Sequence, residues 1–477
     1  MQESGPRTPA KPTHPNLILG ICCMSLLLIA MDVTIVNVAL PAIQHDLRAT
    51  IPQLQWIIDA YTLVLASLLM LSGSMSDRFG RRRVFQIGLT LFSLGSLLCS
   101  VAPSIEGLIL FRGIQGIGAS MLNPVALSII ANSFTEPKER ARAVGIWGAV
   151  AGASLALGPL LGGALTQTIG WRSIFWVNVP VSIAAIILTA IYVPESKAPR
   201  ARRPDPLGQL FIFGFLCTLT YAVIESPLKG WSSPLILGLL SASLALFIAF
   251  LLHEARRQSR NQDPLLDLRF FQSVPFSTAA LLGLIAFGCF AGFLFLNALY
   301  LQQIRHLSAF TTGLCTLPLA IVMMLASPLS GRLVGTRGPR PSLLLAGLGF
   351  TASALILTQL SAITSIALLI VAYILFGLGL GMVNPAISNS AVSGMPLSQA
   401  GVAASVASTS RQVGAALGVA IAGTVVSRSH AHHTDFARAT HPIWWAMVAS
   451  GCLAIFAGYV SNTTWAKSST ERVAELF

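Results

Sequence analysis

Apolar runs of about 20 residues recur from Leu17 to Trp465, separated by short polar stretches rich in Arg, Gly and Pro. A helix rises about 1.5 Å per residue, so each run is long enough to cross a hydrocarbon core of roughly 30 Å. The pattern predicts fourteen membrane-crossing helices, at 17–40, 54–74, 84–103, 107–133, 142–167, 171–193, 207–226, 233–253, 277–300, 311–331, 341–361, 364–390, 399–427 and 443–465. The weakest of these is 207–226, where Tyr221, Glu225 and Pro227 crowd one end.

Composition and charge sharpen that picture. Of the 477 residues, 54% are hydrophobic and 10% charged, against about 25% charged in an ordinary soluble domain. With a cytoplasmic N-terminus, the outer loops hold six basic residues (Arg48, Arg172, Lys229, Arg305, Arg428 and Arg438), two more (Arg112 and Arg411) lie inside spans, and the remaining 22 of the 30 fall on the cytoplasmic side. This is the positive-inside bias, and it predicts both termini in the cytoplasm. The net charge of +13 then follows from topology and contact with anionic lipid, and no nucleic-acid partner is expected. All seven Cys lie in apolar runs without paired spacing, which predicts neither disulfides nor a metal site. Residues 1–16 and 466–477 are expected to be cytoplasmic tails, with the first span as its own insertion signal.

The two halves echo each other. GIGASMLNP at 116–124 matches GLGLGMVNP at 377–385 with an offset of 261, and GSMSDRFGRR at 73–82 faces GRLVGTRGPR at 331–340. Duplicated bundles with a site at their interface are a common transporter architecture. The expected organisation is a six-helix bundle over 17–193, two inserted helices with charged linkers over 194–276, and a second six-helix bundle over 277–465.

Charges inside hydrocarbon cost several kcal/mol, so each invites a functional hypothesis. By helical rise, Asp32 lies about 13 Å and Asp59 about 8 Å from the outer membrane face, with Arg112 at a similar depth. Three charges at one level predict an aqueous cavity open to one side, where a carboxylate exchanges a proton for a cationic substrate; the simpler alternative is that the acids pair with Arg112 to hold the bundle together. Tyr61 and Trp147 are candidate aromatic lining. Arg411 stands in a half without Asp or Glu between Phe276 and Thr434, so its partner is a broken-helix carbonyl, an acid of the first half or the substrate. Glu225 lies at the outer end of its span, a cavity candidate or an interfacial residue. His430, His432, His433 and Asp435 make an outer-loop cluster that reads as solvated loop rather than metal site.

Five segments, MDVTIVNVALP (31–41), GSMSDRFGRRR (73–83), FRGIQGIGAS (111–120), GAVAGASLALGPLLGG (148–163) and WRSIFWVNVP (171–180), in this order and spacing, resemble the fourteen-helix drug:proton antiporter branch of the major facilitator superfamily. The resemblance implies an all-α membrane fold, two pseudo-symmetric six-helix bundles plus two inserted helices. It implies a proton-coupled antiporter of lipophilic, often cationic drugs in the bacterial cytoplasmic membrane, monomeric and without cofactor. It assigns gating to Gly73, Asp77, Arg78, Gly80, Arg82, Gln115 and Gly116, with Asp77 in a charge relay that holds the outward-facing state. It also makes Gly148, Gly152, Gly158, Pro159, Gly162 and Gly163 the antiporter helix motif, small residues permitting close approach and a bend. In the second half Gly335 replaces the acid matching Asp77. A dedicated exporter of one metabolite is the runner-up, followed by a proton symporter. An enzyme is not expected, for lack of a catalytic cluster, nor an ATP-driven pump, for lack of a phosphate-binding loop.

Overall fold

The computed structural model describes residues 14–475 apart from 135, 198–204, 261, 263, 394, 396, 432–435 and 462, and among these it is all-helical, without strands. The helices are α1 (Pro15–Leu47), α2 (Ile51–Phe79), α3 (Arg81–Ser100), α4 (Ile105–Ser133), α5 (Pro137–Thr168), α6 (Ser173–Trp176), α7 (Asn178–Tyr192), α8 (Pro206–Lys229), α9 (Pro234–Ser259), α10 (Val274–Leu299), α11 (Ala309–Arg337), α12 (Pro339–Leu357), α13 (Ile366–Val392), α14 (Leu397–Ala431), α15 (Phe436–Val460) and α16 (Thr464–Glu475). A 3₁₀ turn, Leu268–Gln272, precedes α10, and a π-helical turn, Tyr300–Ile304, follows it.

Local chemistry sets these boundaries. Thr50 and Gln53 form a reciprocal capping box at the start of α2, and Ser104, Ser233, Ser273, Ser308 and Ser365 each accept a backbone N–H at the start of their helices. Gly80 and Gly338 turn the chain between α2 and α3 and between α11 and α12 with φ of 112° and 78°, a backbone region glycine enters without strain.

Among the described residues, thirteen helical segments are long and apolar enough to cross a membrane. The fourteenth expected span corresponds to α14, whose 35 residues suffice in length, but whose middle carries Thr409, Ser410, Arg411 and Gln412. It packs along α10, α2 and α8, which supply apolar surroundings its own sequence lacks. Two other expectations change. The span at 171–193 is broken into α6 and α7, and the tail at 466–477 is largely helical: α16 packs on α10, with Ser469 Oγ accepting the Val274 N–H at 3.0 Å. Residues 1–13 of the other tail lie outside the described residues.

The packing has a repeated plan. In the first half α1 packs on α5, α2 on α4, α3 on α4 and α7; in the second α10 packs on α14, α11 on α13, α12 on α13 and α15. The halves meet along two seams, α5 against α11 and α2 against α14, which exchange under the same correspondence. The inserted helix α8 lies on the second seam, touching α2 and α14, and α9 packs chiefly on α8.

Candidate transport pathway

At the seam between α5 and α11, glycines report how tightly the halves fit. A Cβ on Gly163 would stand 2.5 Å from the Ala309 carbonyl oxygen, and one on Gly313 would overlap the Pro159 carbonyl. Midway, a Cβ on Gly152 would rest 3.4 Å from Met324, an ordinary contact. Toward the end of the bundle that carries the arginines of 78–83, Gly145 and Gly148 on α5 and Gly331 and Gly335 on α11 have nothing within 4 Å. The halves therefore form a wedge, closed at the end away from the arginines. That closed end is tied by Gln302 Nε2 to the Val38 carbonyl at 2.8 Å, Gln303 Nε2 to Gln44 Oε1 at 2.6 Å, and Gln55 Nε2 to the Ala420 carbonyl at 2.7 Å. At the arginine-rich end no hydrogen bond or ion pair among the described residues joins the halves.

The antiporter-motif residues divide along this wedge. Gly158 and Gly162 pack into α1, against Thr34 and Ile35, while Gly152, Pro159 and Gly163 meet α11. Gly148, expected to promote close packing, faces open space because it lies where the wedge has widened.

Inside the first half, α4 presents Arg112 and Gln115 one turn apart on one face. Arg112 Nη1 donates to Asp32 Oδ2 at 2.5 Å and to Gln115 Oε1 at 2.7 Å, and its Nε donates to the Ile57 carbonyl at 3.1 Å. Gln115 Nε2 and Asn178 Nδ2 donate to Asp32 Oδ1 at 2.9 and 3.2 Å, and Asn178 also reaches Ser96 Oγ. The guanidinium lies 4.3 Å from the centre of the Tyr61 ring, a cation–π contact. Asp32 and Arg112 are 0% and 1% exposed. The expectation of an aqueous cavity around Asp32, Asp59 and Arg112 is thus corrected: α1, α2, α4 and α7 close over them. Gln115 belongs to this buried cluster rather than to a gate, and Tyr61 packs on Arg112 rather than lining an open cavity. Gly116 lets α4 approach α2, since a Cβ there would stand 2.7 Å from the Tyr61 carbonyl oxygen. Asn178 and Ser96 were missed; Asn178 stands in the quoted 171–180 segment, an amide in an apolar run being the signal available.

Asp59 is different. It is fully buried, yet neither carboxylate oxygen has a hydrogen-bond partner, and Arg112 is turned away to Asp32. It lies one helical turn after Gln55, so it faces the α2–α14 seam. Across the bundle, Arg411 Nη2 donates to Ser408 Oγ at 2.8 Å and Nη1 reaches Ser388 Oγ at 3.4 Å, with the guanidinium 5.7 Å from the Phe287 ring centre. Its partners are hydroxyls and a ring, not the broken-helix carbonyl or first-half acid considered above. Trp147 is half-buried on α5 with its indole N–H unpartnered. Glu225 pairs with Lys229 one turn on, at 3.6 Å, near the end of α8.

At the arginine-rich end, Asp77 pairs with Arg81 at 3.0 Å, within its own turn of chain. Arg78 is exposed beside the Phe79 ring. Glu195, which drew no attention in the sequence, accepts the Arg82 N–H at 3.1 Å, lies 3.7 Å from Arg83 Nε, and occupies the space a Cβ on Gly80 would need. The Arg81 N–H donates to the Ser196 carbonyl, so the strand of chain after α7 clamps the α2–α3 turn. A Cβ on Gly73 would stand 4.0 Å from Pro124, so this position has room for a larger residue. The side chains of His430, His432, His433 and Asp435 lie outside the described residues.

The repeated helical plan agrees with a family match: residues 22–419 match the Major Facilitator Superfamily. The chain belongs to that superfamily. It is a multi-pass membrane transporter, not an enzyme. Its relatives include the multidrug resistance protein Stp of Mycobacterium tuberculosis, 37% identical over 85% of this chain and 74% of that protein. The tetracenomycin C resistance and export protein of Streptomyces glaucescens is 34% identical over 89% of this chain and 77% of its own length. The multidrug efflux pump LfrA of Mycolicibacterium smegmatis is 34% identical over 91% and 85%.

Proposed function

We propose that this transporter exports lipophilic, often cationic drugs across the bacterial cytoplasmic membrane in exchange for protons, by alternating access, as a monomer with both termini cytoplasmic. The relatives named for multidrug efflux and antibiotic export support the substrate class. The observation that carries the coupling is the unpartnered carboxylate of Asp59. An isolated buried carboxylate is strongly disfavoured, so Asp59 holds a proton while its seam is shut. Once the proton leaves, the charge needs water or a cation beside it. Proton and cationic substrate therefore exclude one another at the same seam, and that exclusion is exchange. Asp32, engaged by Arg112, Gln115 and Asn178, orders the first half.

In this reading α1–α7 and α10–α15 move as two bodies about the α5–α11 and α2–α14 seams, and the wedge opens to the cytoplasm. Asp77, paired locally with Arg81, is free to find a partner across the gate when that end closes. Arg411 offers donors to oxygen acceptors on a substrate. The runner-up, a dedicated exporter of one metabolite, draws on relatives named for a single compound.

The test is proton release on adding substrate to purified protein in weak buffer, combined with transport into proteoliposomes under an imposed pH gradient. Wild type should release protons, and Asp59→Asn should release none while still binding neutral substrates. Full release and normal gradient-driven transport from Asp59→Asn would overturn the assignment. A substrate panel answered by one compound alone would favour the runner-up.

A further inference from the structure

A second group of buried ionisable side chains lies outside the pathway, at the end of the inserted pair where α8 begins and α9 finishes. Asp205 caps α8, its Oδ1 accepting the Gly208 N–H at 3.0 Å. From α9, His253 Nε2 points at the same carboxylate, 3.0 Å from each oxygen. Glu254, next along α9, is fully buried; its Oε2 accepts the Leu266 N–H at 3.1 Å, while its Oε1 accepts no backbone or amide N–H and faces the Asp205 carboxylate. Arg257 Nε stands 3.4 Å from Asp205 Oδ2. Asp205 and Glu254 are 3% and 0% exposed, while the His253 and Arg257 side chains are 19% and 17% exposed.

We propose that Asp205, His253 and Glu254 form a binding site for a divalent cation of the zinc class. One ligand atom from each lies within 4.8 Å of the others. Tetrahedral donors at the usual zinc distances stand about 3.4 Å apart, so small rotations of these side chains complete the set. Because residue 208 is glycine, the two carboxylates can converge where its side chain would stand: a Cβ would sit 2.6 Å from Asp205 Oδ2 and 2.7 Å from Glu254 Oε1. Glu254 Oε1 faces the Asp205 carboxylate there, and two carboxylates set so close need positive charge between them, which the cation supplies. One imidazole nitrogen with two carboxylate oxygens is a donor set suited to zinc rather than to calcium or copper(I). Second contacts hold the donors in place: the Gly208 N–H and Arg257 on Asp205, the Leu266 N–H on Glu254. Arg257 offsets one carboxylate charge; the second carboxylate supplies the charge that draws a dication. The cation would fasten the start of α8, the end of α9 and the chain entering α10, and α8 is tied to α2 through Gln209 and the Ser67 carbonyl.

The test uses the purified full-length protein, in a background with His430, His432 and His433 replaced by Ala so that the outer loop contributes no ligand. Zn²⁺ is titrated by calorimetry, and Co²⁺ is followed by its visible d–d absorption. The expected result is one site per chain with a tetrahedral Co²⁺ spectrum, and at least a tenfold loss of affinity in His253→Ala. Because Asp205→Asn removes a helix cap and risks misfolding, Glu254→Gln serves as the second variant, and it too should lose affinity at least tenfold. No saturable Zn²⁺ uptake at pH 7.5, or uptake unchanged in both His253→Ala and Glu254→Gln, would overturn the site.

Discussion

The two halves carry the same helical plan but opposite chemistry at equivalent places. In the first, α4 gives Arg112 to Asp32 on α1, a buried ion pair with Gln115 and Asn178 around it. In the second, Tyr373 stands 261 residues after Arg112, the offset that relates the α4 and α13 motifs. Its hydroxyl donates to Asn297 Oδ1 on α10, and its ring packs edge-on against Phe293. Under the same offset Asp32 corresponds to Phe293, so the neutral hydrogen bond is made one helical turn further along α10 than the ion pair along α1. The seam acid is one-sided as well, since the α11 stretch facing α5 around Leu317–Ala320 has no counterpart to Asp59. A duplicated scaffold needs some polar bridge between its first and fourth helices for packing, and an uncharged one suffices. The first half thus buries an ion pair where the second half buries a neutral hydrogen bond, and inside the apolar runs of the second half the charged side chain is Arg411.

The strongest way to break this comparison is to move the neutral pair across. Arg112→Tyr alone leaves Asp32 buried without a counter-charge and should destabilise the protein by about 3–5 kcal/mol. Adding Asp32→Asn removes the uncompensated charge and leaves a neutral amide near the tyrosine, the same chemistry as the Tyr373–Asn297 bond, and should recover most of that loss. Thermal unfolding in detergent reads both, and a double variant no more stable than the single one would show that the halves are not interchangeable there.

The wedge offers a second contrast, between its closed and open ends. Gly163→Leu overpacks the seam against Ala309 and Phe310 and should cost about 1–3 kcal/mol. Gly148→Leu enters open space and should leave stability within about 0.5 kcal/mol while slowing transport, because it obstructs closure of that end. Equal melting temperatures for the two variants would remove the evidence for a wedge. For Arg411, whose partners are hydroxyls, Arg411→Gln should shift stability by no more than about 1 kcal/mol; the expected loss is in export of substrates bearing oxygen acceptors, measured as efflux across a matched substrate panel. Smallest of all is Glu225→Gln. A solvent-screened pair with Lys229 contributes little to stability, so proton release and transport should be unchanged, and loss of coupling would return Glu225 to the pathway.

Much of this was legible in the chain itself. Apolar run length dictates helices that cross a membrane, because no other single-segment structure satisfies its own backbone in hydrocarbon, and the spacing of Gly80 and Gly338 marks the matching turns of the two halves. Charge inside those runs pointed to Asp32, Asp59, Arg112 and Arg411 without any structure. What those charges do to one another was decided only in three dimensions. Helical rise put Asp32, Asp59 and Arg112 at one depth, but depth says nothing about azimuth, and the single guanidinium turned to Asp32 and left Asp59 alone. Glycine spacing predicted close packing along α5, yet Gly148 and Gly163 differ completely, because the tilt between two bundles is a property of their joint packing. Asp205 and Glu254 looked like linker acids, and only the pairing of α8 with α9 buries them together beside His253. A linear pattern fixes which groups must be hidden from lipid; which partner each one finds depends on the angles at which helices distant in sequence meet.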